Sequence, residues 1–530
     1  MRDLELPGRS PVHATGGMAC TSHPLSSQVA VDILKAGGNA MDAAVAACAV
    51  QCVVEPESTG IGGDCFCLYA GEGAGVPLAF NGSGRAPAGA TPQWFADQGI
   101  THIERQSPHS VTIPSAIDAW DRLVRDHGRM ALGELLQPAI RYARDGYPIS
   151  SRVHYDFAIQ ADLLRNDENA ARVMLPGDKV PAVGSLHRQP ELAKTLQTVA
   201  DNGRDAFYTG AIAQDMVDYL QSKGGVHTLE DFAAVKGEYV EPISAEFRGH
   251  RVFECPPNGQ GVIALLLLNI MSEISAEGDP MSLERVHAEI EACRLAYAER
   301  DLYVADPAQA DVPVDWLLSE ENARALREAI DPEQAGGALP DIKPPAHEST
   351  VYISVVDKDR NCCSFINTLF SLFGSCQMAP KSGVMLQNRG QGFTLENGHP
   401  NCIAPGKRPL HTIIPGMIAR DGRAVMSFGV MGGQYQAAGH MQFLTRFFDY
   451  GLDIQQAMDL PRFCPDPATG VVDIEDTVPA EIRAALVARG HRLVRPQRPI
   501  GGSQAIWIDW EENVLTGGSD PRKDGCAIGY

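Results

Sequence analysis

Residues 350–369 read TVYISVVDKDRNCCSFINTL and have the pattern of a β-hairpin. Both halves are rich in the β-branched, aromatic and apolar residues that favour strands. The polar cluster at residues 357–361 predicts the turn between them. If that turn is centred on Asp359, Thr350 and Thr368 face each other, with Cβ atoms about 5 Å apart. Taken alone, this pair has a plain interpretation, because threonine is a common strand residue.

The whole chain has the composition of a large globular protein. It contains 530 residues, of which 44% are hydrophobic, and Lys+Arg 44 against Asp+Glu 66 gives a net charge of −22. This acidic balance argues against nucleic acid and anionic membranes as partners. The longest apolar runs, 43–50 and 262–268, are short of the roughly 18 residues that cross a bilayer. Residues 1–18 have no apolar signal region, so we expect a cytoplasmic protein.

The cysteine pattern predicts neither disulfides nor a metal centre. The chain has 13 cysteines, an odd number, several of them in apolar surroundings. In a large chain without a secretory signal, such residues are expected to be reduced thiols within the core. Neither Cys65 with Cys67 nor Cys362 with Cys363 has a second pair at zinc-binding spacing, and HExxH is absent. We therefore expect no metal and no cofactor.

Strand-like and helix-like stretches alternate, which predicts a mixed α and β fold. Near the start, Ser26 or Ser27 is predicted to cap one helix and Asn39 a second. Glycines 60, 62 and 63 predict a tight turn before a strand at residues 65–69.

The middle third, residues 111–329, has mainly helical patterns. Pro138 is expected to kink or divide the helix predicted at residues 132–144. Residues 332–345 are rich in Pro, Gly and Ala, which predicts an exposed, mobile segment directly before the hairpin.

Motifs spread over nearly the whole chain resemble the γ-glutamyltranspeptidase (glutathione hydrolase) family, in the family's order. The segments that carry the resemblance are 37–44, 56–63, 241–244, 256–266, 296–300, 349–359, 406–409, 519–522 and 529–530. The resemblance implies an α+β fold, the four-layer αββα sandwich of the N-terminal-nucleophile hydrolases. It also implies a precursor that cuts itself before a threonine.

Carried onto this chain, the cut falls between Ser349 and Thr350. Residues 1–349 then form the large (α) subunit and residues 350–530 the small (β) subunit, which together make one αββα domain. The expected assembly is this αβ heterodimer, and a dimer of heterodimers is left open. The freed α-amine of Thr350, with an ordinary pKa of about 7.7–8.0, can serve as the base for its own hydroxyl.

The resemblance also assigns catalytic positions. Thr350 matches the nucleophile, and Thr368 matches the residue whose hydroxyl bonds to it, in agreement with the hairpin register. Gly432 and Gly433 match the pair whose backbone N–H groups form the oxyanion hole. Unobstructed backbone donors suit the charge of a tetrahedral intermediate.

The substrate-binding positions depart from the family pattern. The aspartate that holds the α-amino group falls on Gln391, and the Ser-Ser pair for the α-carboxylate falls on His411 and Thr412. The carboxylate-binding arginine aligns with Asn81, close to Arg85. The asparagine two residues after the second threonine falls on Phe370.

Because Gln391 has no charge, a substrate with an acid group but no free amine fits better, with Arg85 or Arg389 as the counter-charge. Arg85 and Arg389 have a purely structural alternative, and His411 is either a substrate-site residue or a satisfied structural histidine.

The pattern resembles the subgroup that contains oxamate amidohydrolase and the cephalosporin-type acylases. It predicts a self-processing amidohydrolase or acylase that cleaves the amide of a small carboxylate-bearing substrate through a threonine acyl-enzyme. A true glutathione hydrolase or γ-glutamyltransferase is the alternative. A non-cleaving relative that only binds a ligand is the second alternative, against which the four catalytic positions argue.

Overall fold

The structure is a computed structural model that describes residues 4–5, 8–339 and 350–530. The helices are α1 (Pro24–Lys35), α2 (Ala40–Val54), α3 (Pro92–Asp97), α4 (Ala116–His127), α5 (Leu132–Leu135), α6 (Gln137–Asp145), α7 (Ser151–Arg165), α8 (Glu168–Met174), α9 (Pro190–Asn202) and α10 (Asp205–Tyr208). They continue with α11 (Ala211–Ser222), α12 (Leu229–Ala233), α13 (Gly261–Ser272), α14 (Leu283–Tyr303), α15 (Val314–Leu317), α16 (Glu320–Glu328), α17 (Tyr435–Phe448), α18 (Ile454–Asp459) and α19 (Ala480–Ala488).

The strands before residue 350 are β1 (Val12–Ala14), β2 (Met18–Thr21), β3 (Asp64–Ala70), β4 (Leu78–Gly82), β5 (Tyr147–Pro148), β6 (Leu186–His187), β7 (Glu238–Val240), β8 (Ile243–Phe247) and β9 (His250–Glu254). Those after it are β10 (Val351–Val356), β11 (Cys362–Thr368), β12 (Gln377–Met378), β13 (Met385–Leu386), β14 (Gly416–Arg420), β15 (Arg423–Met431), β16 (Phe463–Pro465), β17 (Val471–Ile474), β18 (Arg492–Val494), β19 (Gly502–Asp509), β20 (Val514–Ser519) and β21 (Cys526–Gly529).

Two antiparallel sheets of seven strands form the centre. Sheet I has the order β1-β20-β19-β15-β14-β9-β8, and sheet II has the order β21-β2-β10-β11-β3-β4-β7. Strands β10 and β11 of sheet II face β15 of sheet I. Both sheets contain strands from before and after residue 350, so the two predicted subunits interleave within one domain.

Three apolar clusters explain the layers. One lies between the sheets and includes Phe66, Tyr352 and Met417. A second joins α1 and α2 to the outer face of sheet II, and a third joins α13 and α17 to the outer face of sheet I. Each sheet thus buries both faces, one against the other sheet and one against helices, which gives the predicted αββα order.

The hairpin has the predicted register. Val351 pairs with Asn367 and Val356 with Cys362, so the next pair outward is Thr350 with Thr368. The turn is held by Asp357, whose carboxylate accepts bonds from the backbone N–H groups of residues 359 and 361. Because a turn of fixed length sets an antiparallel register, this part of the fold was readable from local sequence.

Two of the three predictions about helix ends and breaks are confirmed. Asn39 caps α2 through a reciprocal capping box with Asp42, and Pro138 lies where the predicted helix divides into α5 and α6. The cap predicted at Ser26 or Ser27 was wrong. His23 caps α1, because Pro24 occupies the first helical position and the His23 ring accepts a bond from the N–H of residue 25.

In the described residues all 13 cysteines are free thiols and all but Cys526 are buried, as expected for reduced thiols within the core. Within the same part of the chain, no helix has the length and apolar character needed to cross a membrane. The cytoplasmic location stays a prediction. So does the 349/350 boundary, because Ser349 and residues 340–345 of the segment predicted to be mobile lie outside the described residues.

Candidate active site

Thr350 and Thr368 lie together at one end of the hairpin. Their Oγ1 atoms are 3.2 Å apart, and both residues are almost fully buried. The Thr368 hydroxyl also accepts a bond from the backbone N–H of Phe370 at 2.9 Å. The two hydroxyls are therefore held in hydrogen-bond contact at the residue where the sequence places the nucleophile.

The glycine turn before β3 closes around the end of β11. A Cβ on Gly63 would lie 1.9 Å from the Thr368 carbonyl oxygen, and one on Gly62 would lie 2.1 Å from the carbonyl oxygen of Met385. Asn367 donates to the Thr59 hydroxyl at 2.8 Å. The sequence GIGGD thus has a packing reason, because only glycine allows this close approach of backbones.

The Gly432–Gly433 turn lies at the same end of the sandwich as Thr350. Across the sheets, the Ser354 and Ser427 hydroxyls are 2.8 Å apart. A Cβ on Gly429 would lie 2.3 Å from the Tyr352 ring. Ser354 therefore faces Ser427, and Tyr352 faces Gly429. Continuing by two residues in each strand places Thr350 level with Met431, the last residue of β15.

The Gly432–Gly433 turn lies directly before helix α17. Gly432 and Gly433 have φ values of 127° and 55°, which favour glycine. The Gly432 carbonyl accepts a bond from the N–H of Tyr435, the first residue of α17, at 3.1 Å. Because N–H and C=O of a trans peptide point in opposite directions, the Gly433 N–H points away from the helix. The positive end of the α17 dipole lies behind it.

Arg389 supplies a buried positive charge next to the threonine pair. Its guanidinium carbon lies 3.8 Å from the centre of the Phe370 ring, and its Nη1 donates to the Thr412 hydroxyl at 3.1 Å. Phe370, with φ 79°, is the residue whose N–H bonds to Thr368. Phe370 therefore connects the two features: its backbone N–H bonds to the Thr368 hydroxyl, and its ring contacts the Arg389 guanidinium.

Gln391 is held within the protein by both ends of its amide. Its Oε1 accepts a bond from Asn388 at 2.7 Å, and its Nε2 donates to the carbonyl of Ile103 at 3.1 Å. It lies in the short 3₁₀ turn Arg389–Gly392. This position presents an uncharged, hydrogen-bonded amide.

His411 uses both ring nitrogens inside the protein. Nδ1 accepts a bond from the N–H of Ile413 at 3.3 Å, so Nε2 carries the proton that it donates to Asp64 at 2.9 Å. Burial, together with the positive charge of Arg389, lowers the pKa of His411 to about 4. The ring is therefore neutral at neutral pH, and the geometry favours the structural interpretation of His411.

Asp64 is a site residue that sequence reasoning missed. It pairs with Thr368 in the register of sheet II. Its Oδ1 accepts bonds from the N–H of Gly84, the amide of Gln387 and the hydroxyl of Ser115, while Oδ2 holds His411. The available signal was an acidic residue directly after Gly-Gly at the head of the apolar strand DCFCLYA.

Asn81 and Arg85 are engaged elsewhere. Asn81 donates to the Asn258 side chain at 2.9 Å and accepts from Ser83. Arg85, with a third of its side chain exposed, pairs with Glu238 at 2.9 Å and lies 3.6 Å from Asp306. Of the two arginines named from the sequence, Arg389 is the one that the structure connects to the threonine pair.

No group of three or more His, Cys, Asp or Glu side chains in the described chain could hold a metal ion. The polar contacts of the site connect hydroxyls, amides, the Arg389 guanidinium and the Asp64–His411 pair. A hydroxyl, backbone N–H donors and a cation in this arrangement are suited to nucleophilic attack on a carbonyl group.

Comparison with known proteins finds relatives over nearly the whole length of the chain. The gamma-glutamyltranspeptidase family matches residues 26–530. The chain is 36% identical to the glutathione hydrolase-like YwrD proenzyme of Bacillus subtilis, over 98% of this chain and 99% of the relative. It is 33% identical to the oxamate amidohydrolase proenzyme of Klebsiella pneumoniae, over 98% and 99%. The crystal structure of cephalosporin acylase from Bacillus halodurans superposes with a TM-score of 0.93 at 38% identity, covering 100% of this chain and 99% of that one.

The fold and these likenesses define an amide-hydrolysing enzyme with the αββα sandwich of the N-terminal-nucleophile hydrolases. Within that class, the chain belongs to the γ-glutamyltranspeptidase family. The family and the fold class predicted from the sequence are thus confirmed.

Proposed function

We propose that this chain is a precursor that cuts itself between Ser349 and Thr350 and then hydrolyses the amide of a small carboxylate-bearing substrate. The observation that carries the proposal is the buried pair of threonine hydroxyls, 3.2 Å apart, which Phe370 links to the guanidinium of Arg389. The names of relatives, which include oxamate amidohydrolase and acylase proenzymes, support the same reaction class.

The proposed self-cleavage starts at Thr350. Its Oγ1 attacks the carbonyl carbon of Ser349, the peptide nitrogen leaves and takes a proton, and the chain is held for a moment by an ester. Water then hydrolyses the ester, which restores the hydroxyl and leaves a carboxylate on Ser349. The new α-amine, with an ordinary pKa of about 7.7–8.0, is partly neutral at neutral pH and can accept a proton.

The proposed turnover repeats this chemistry on the substrate. The amine takes the Thr350 hydroxyl proton while Oγ1 attacks the substrate carbonyl, and the N–H groups of Gly432 and Gly433 stabilise the negative oxygen that forms. The proton passes to the leaving amine, which departs and leaves an acyl ester on Thr350. Water, activated by the same α-amine, releases the acid. Thr368 holds the nucleophile's hydroxyl in position throughout.

The charges of the site favour an acyl group that has a carboxylate and lacks an α-amine. Arg389 is buried and fixed by stacking on Phe370, so it can bind a carboxylate without ordering a flexible side chain. Gln391 offers no negative charge to an ammonium group. Arg85 is already paired with carboxylates. Arg389 is therefore our choice for the substrate's counter-charge.

A denaturing gel of purified protein, with sequencing of the smaller band, tests the self-cleavage. We expect two bands, the smaller beginning at Thr350, and one uncut band for Thr350→Ala. An intact chain after long incubation, or a different new N-terminus, would contradict the proposal and favour a relative that only binds a ligand.

A substrate panel tests the acyl group: a glutaryl amide, oxamate and a γ-glutamyl anilide. We expect turnover of at least one of the first two, and Arg389→Gln should raise its KM by about tenfold or more, the loss of one charged hydrogen bond. Arg85→Gln is the matched control and should leave KM near that of the parent. Efficient turnover of the γ-glutamyl anilide alone would favour glutathione hydrolysis, the function in the names of several relatives.

A further inference from the structure

Two buried side chains of helix α14, both from the family motif at residues 296–300, contact the residues that follow the Gly432–Gly433 turn. The Tyr297 hydroxyl donates to the backbone carbonyl of Gln434 at 2.5 Å and accepts from the N–H of Ala438 at 3.2 Å. The guanidinium of Arg300 donates to the Gln434 side chain. Both residues are at most 1% exposed, so they contact this segment from the protein interior.

Gln260 connects this support to the turn itself. It is fully buried at the N-cap of α13. Its Oε1 accepts a bond from Arg300 at 3.2 Å, and its Nε2 donates to the carbonyls of Thr412 at 2.8 Å and Gly433 at 3.1 Å. One amide group therefore joins the segment that contacts Arg389 to the turn that carries the oxyanion donors.

These contacts require an amide. Two carbonyl oxygens need N–H donors, and the guanidinium needs an acceptor, so only a carboxamide in one orientation satisfies all three neighbours. Gly433 has no side chain to restrict its backbone, and its conformation depends on what holds the carbonyls on either side. Tyr435 holds the carbonyl of Gly432, and Gln260 with Gln436 holds that of Gly433.

We infer that Gln260, supported by Arg300 and Tyr297, is a positioning residue for the oxyanion hole of the reaction proposed above, on which this inference rests. It acts through Gly433 and does not itself contact the substrate. By holding the Gly433 carbonyl, it restrains the turn on the side opposite the Gly432 carbonyl, and so limits the movement of the backbone that carries the two N–H groups proposed to receive the negative charge. Errors of about 1 Å in such a group can cost about 100-fold in rate.

Gln260→Glu is the sharpest test, because it keeps the shape and the acceptor for Arg300 but replaces two N–H donors by oxygen. On fully cut enzyme, normalised to the amount of N-terminal Thr350, we expect kcat to fall by about 10- to 100-fold and KM to change by less than about threefold. Asn269→Asp is the control. It makes the same chemical change on the same helix, where Asn269 donates to the carbonyl of Leu318, and it should leave kcat unchanged.

Two results would overturn the inference: a kcat for Gln260→Glu close to that of the parent, or an equal loss in Asn269→Asp. If Gln260→Glu fails to fold or to cut itself, Tyr297→Phe decides, since it removes only the hydroxyl that holds Gln434. We expect it to lower kcat several-fold with KM unchanged, and an unchanged kcat would contradict us. Failure of the proposed function is separate, because it appears in the parent as an uncut or inactive chain.

Discussion

At the scale of single residues, the Thr368 hydroxyl makes two hydrogen bonds that the proposed reaction depends on. It contacts the Thr350 hydroxyl and also receives the N–H of Phe370. In Thr368→Val the side chain keeps its shape and loses both bonds. We expect kcat to fall by about 10- to 100-fold, because the nucleophile's oxygen is no longer held toward the substrate carbonyl. Steady-state kinetics on cut enzyme checks this, and Thr368→Ser, which keeps the hydroxyl, should retain most activity. Equal kcat values for the valine and serine variants would contradict the proposed role.

His411 makes a prediction about stability and pH. Its pKa is lowered from about 6.5 in the unfolded chain to about 4 in the folded protein. Between these two values the unfolded state binds the extra proton, so this residue's contribution to stability is complete above about pH 6.5 and is lost as the pH falls toward 4. The shift corresponds to about 3 kcal/mol in the free energy of unfolding.

Urea unfolding of the parent and of His411→Gln at several pH values measures this contribution. We expect the variant to be less stable at pH 7 and to lose less stability between pH 6.5 and 4. The exposed His102 provides the control, and His102→Gln should follow the parent. Parallel curves for parent and His411→Gln would show that the ring is not kept neutral by the fold.

At the scale of elements, the N-cap residue of α2 combines local hydrogen bonds with a contact to a distant part of the chain. Asn39 Oδ1 accepts the N–H groups of Met41 and Asp42, and Asn39 Nδ2 donates to the carbonyl of His127. Asn39→Ala should lower the free energy of unfolding by about 1 kcal/mol or somewhat more. Asn39→Ser keeps a capping hydroxyl and should recover most of this in denaturant unfolding. If Ala and Ser behave alike, the cap contributes nothing.

The elements that could be predicted were those that neighbouring residues determine. The β10–β11 hairpin follows from alternation, a polar turn and strict pairing of opposite residues, so the Thr350–Thr368 contact was readable from the chain. Asn39 was readable as a cap for the same reason. The cap of α1 was misplaced because Pro24 moves the helix start to His23, and a histidine ring is a rare cap.

The contacts that could not be predicted join residues far apart in the chain. Asp64 and His411 are 347 positions apart, and Gln260 and Gly433 are 173 apart. Composition shows that Arg85 and Arg389 are charged, but only the layer packing shows that Arg85 is paired with Glu238 and Arg389 stacks on Phe370. The family resemblance named the glycine pair, and the residues that hold it had no local signal strong enough to single them out.

At the scale of the whole molecule, cleavage before Thr350 would leave two pieces that cannot part without destroying both sheets. Strands β10 and β11 of the small piece lie between β2 and β3 of the large piece, and the small piece's β14, β15, β19 and β20 lie between β9 and β1 of the large piece. Separation would expose the apolar cluster between the sheets. We expect both pieces to elute together in native size-exclusion chromatography and to separate only in denaturant.

The same interleaving predicts how stability depends on concentration. Unfolding of the cut enzyme releases two chains, whereas unfolding of uncut Thr350→Ala releases one. Each tenfold increase in protein concentration should therefore raise the apparent free energy of unfolding of the cut form by about 1.4 kcal/mol relative to the uncut form. Reversible urea unfolding at two or more concentrations measures the difference.

A midpoint for fully cut protein that follows the Thr350→Ala midpoint at every concentration would mean that the pieces do not unfold and dissociate together. That result would contradict a domain built jointly by residues 1–349 and 350–530, whereas a concentration-dependent difference would show that the non-covalent sheet contacts alone hold the cut enzyme together.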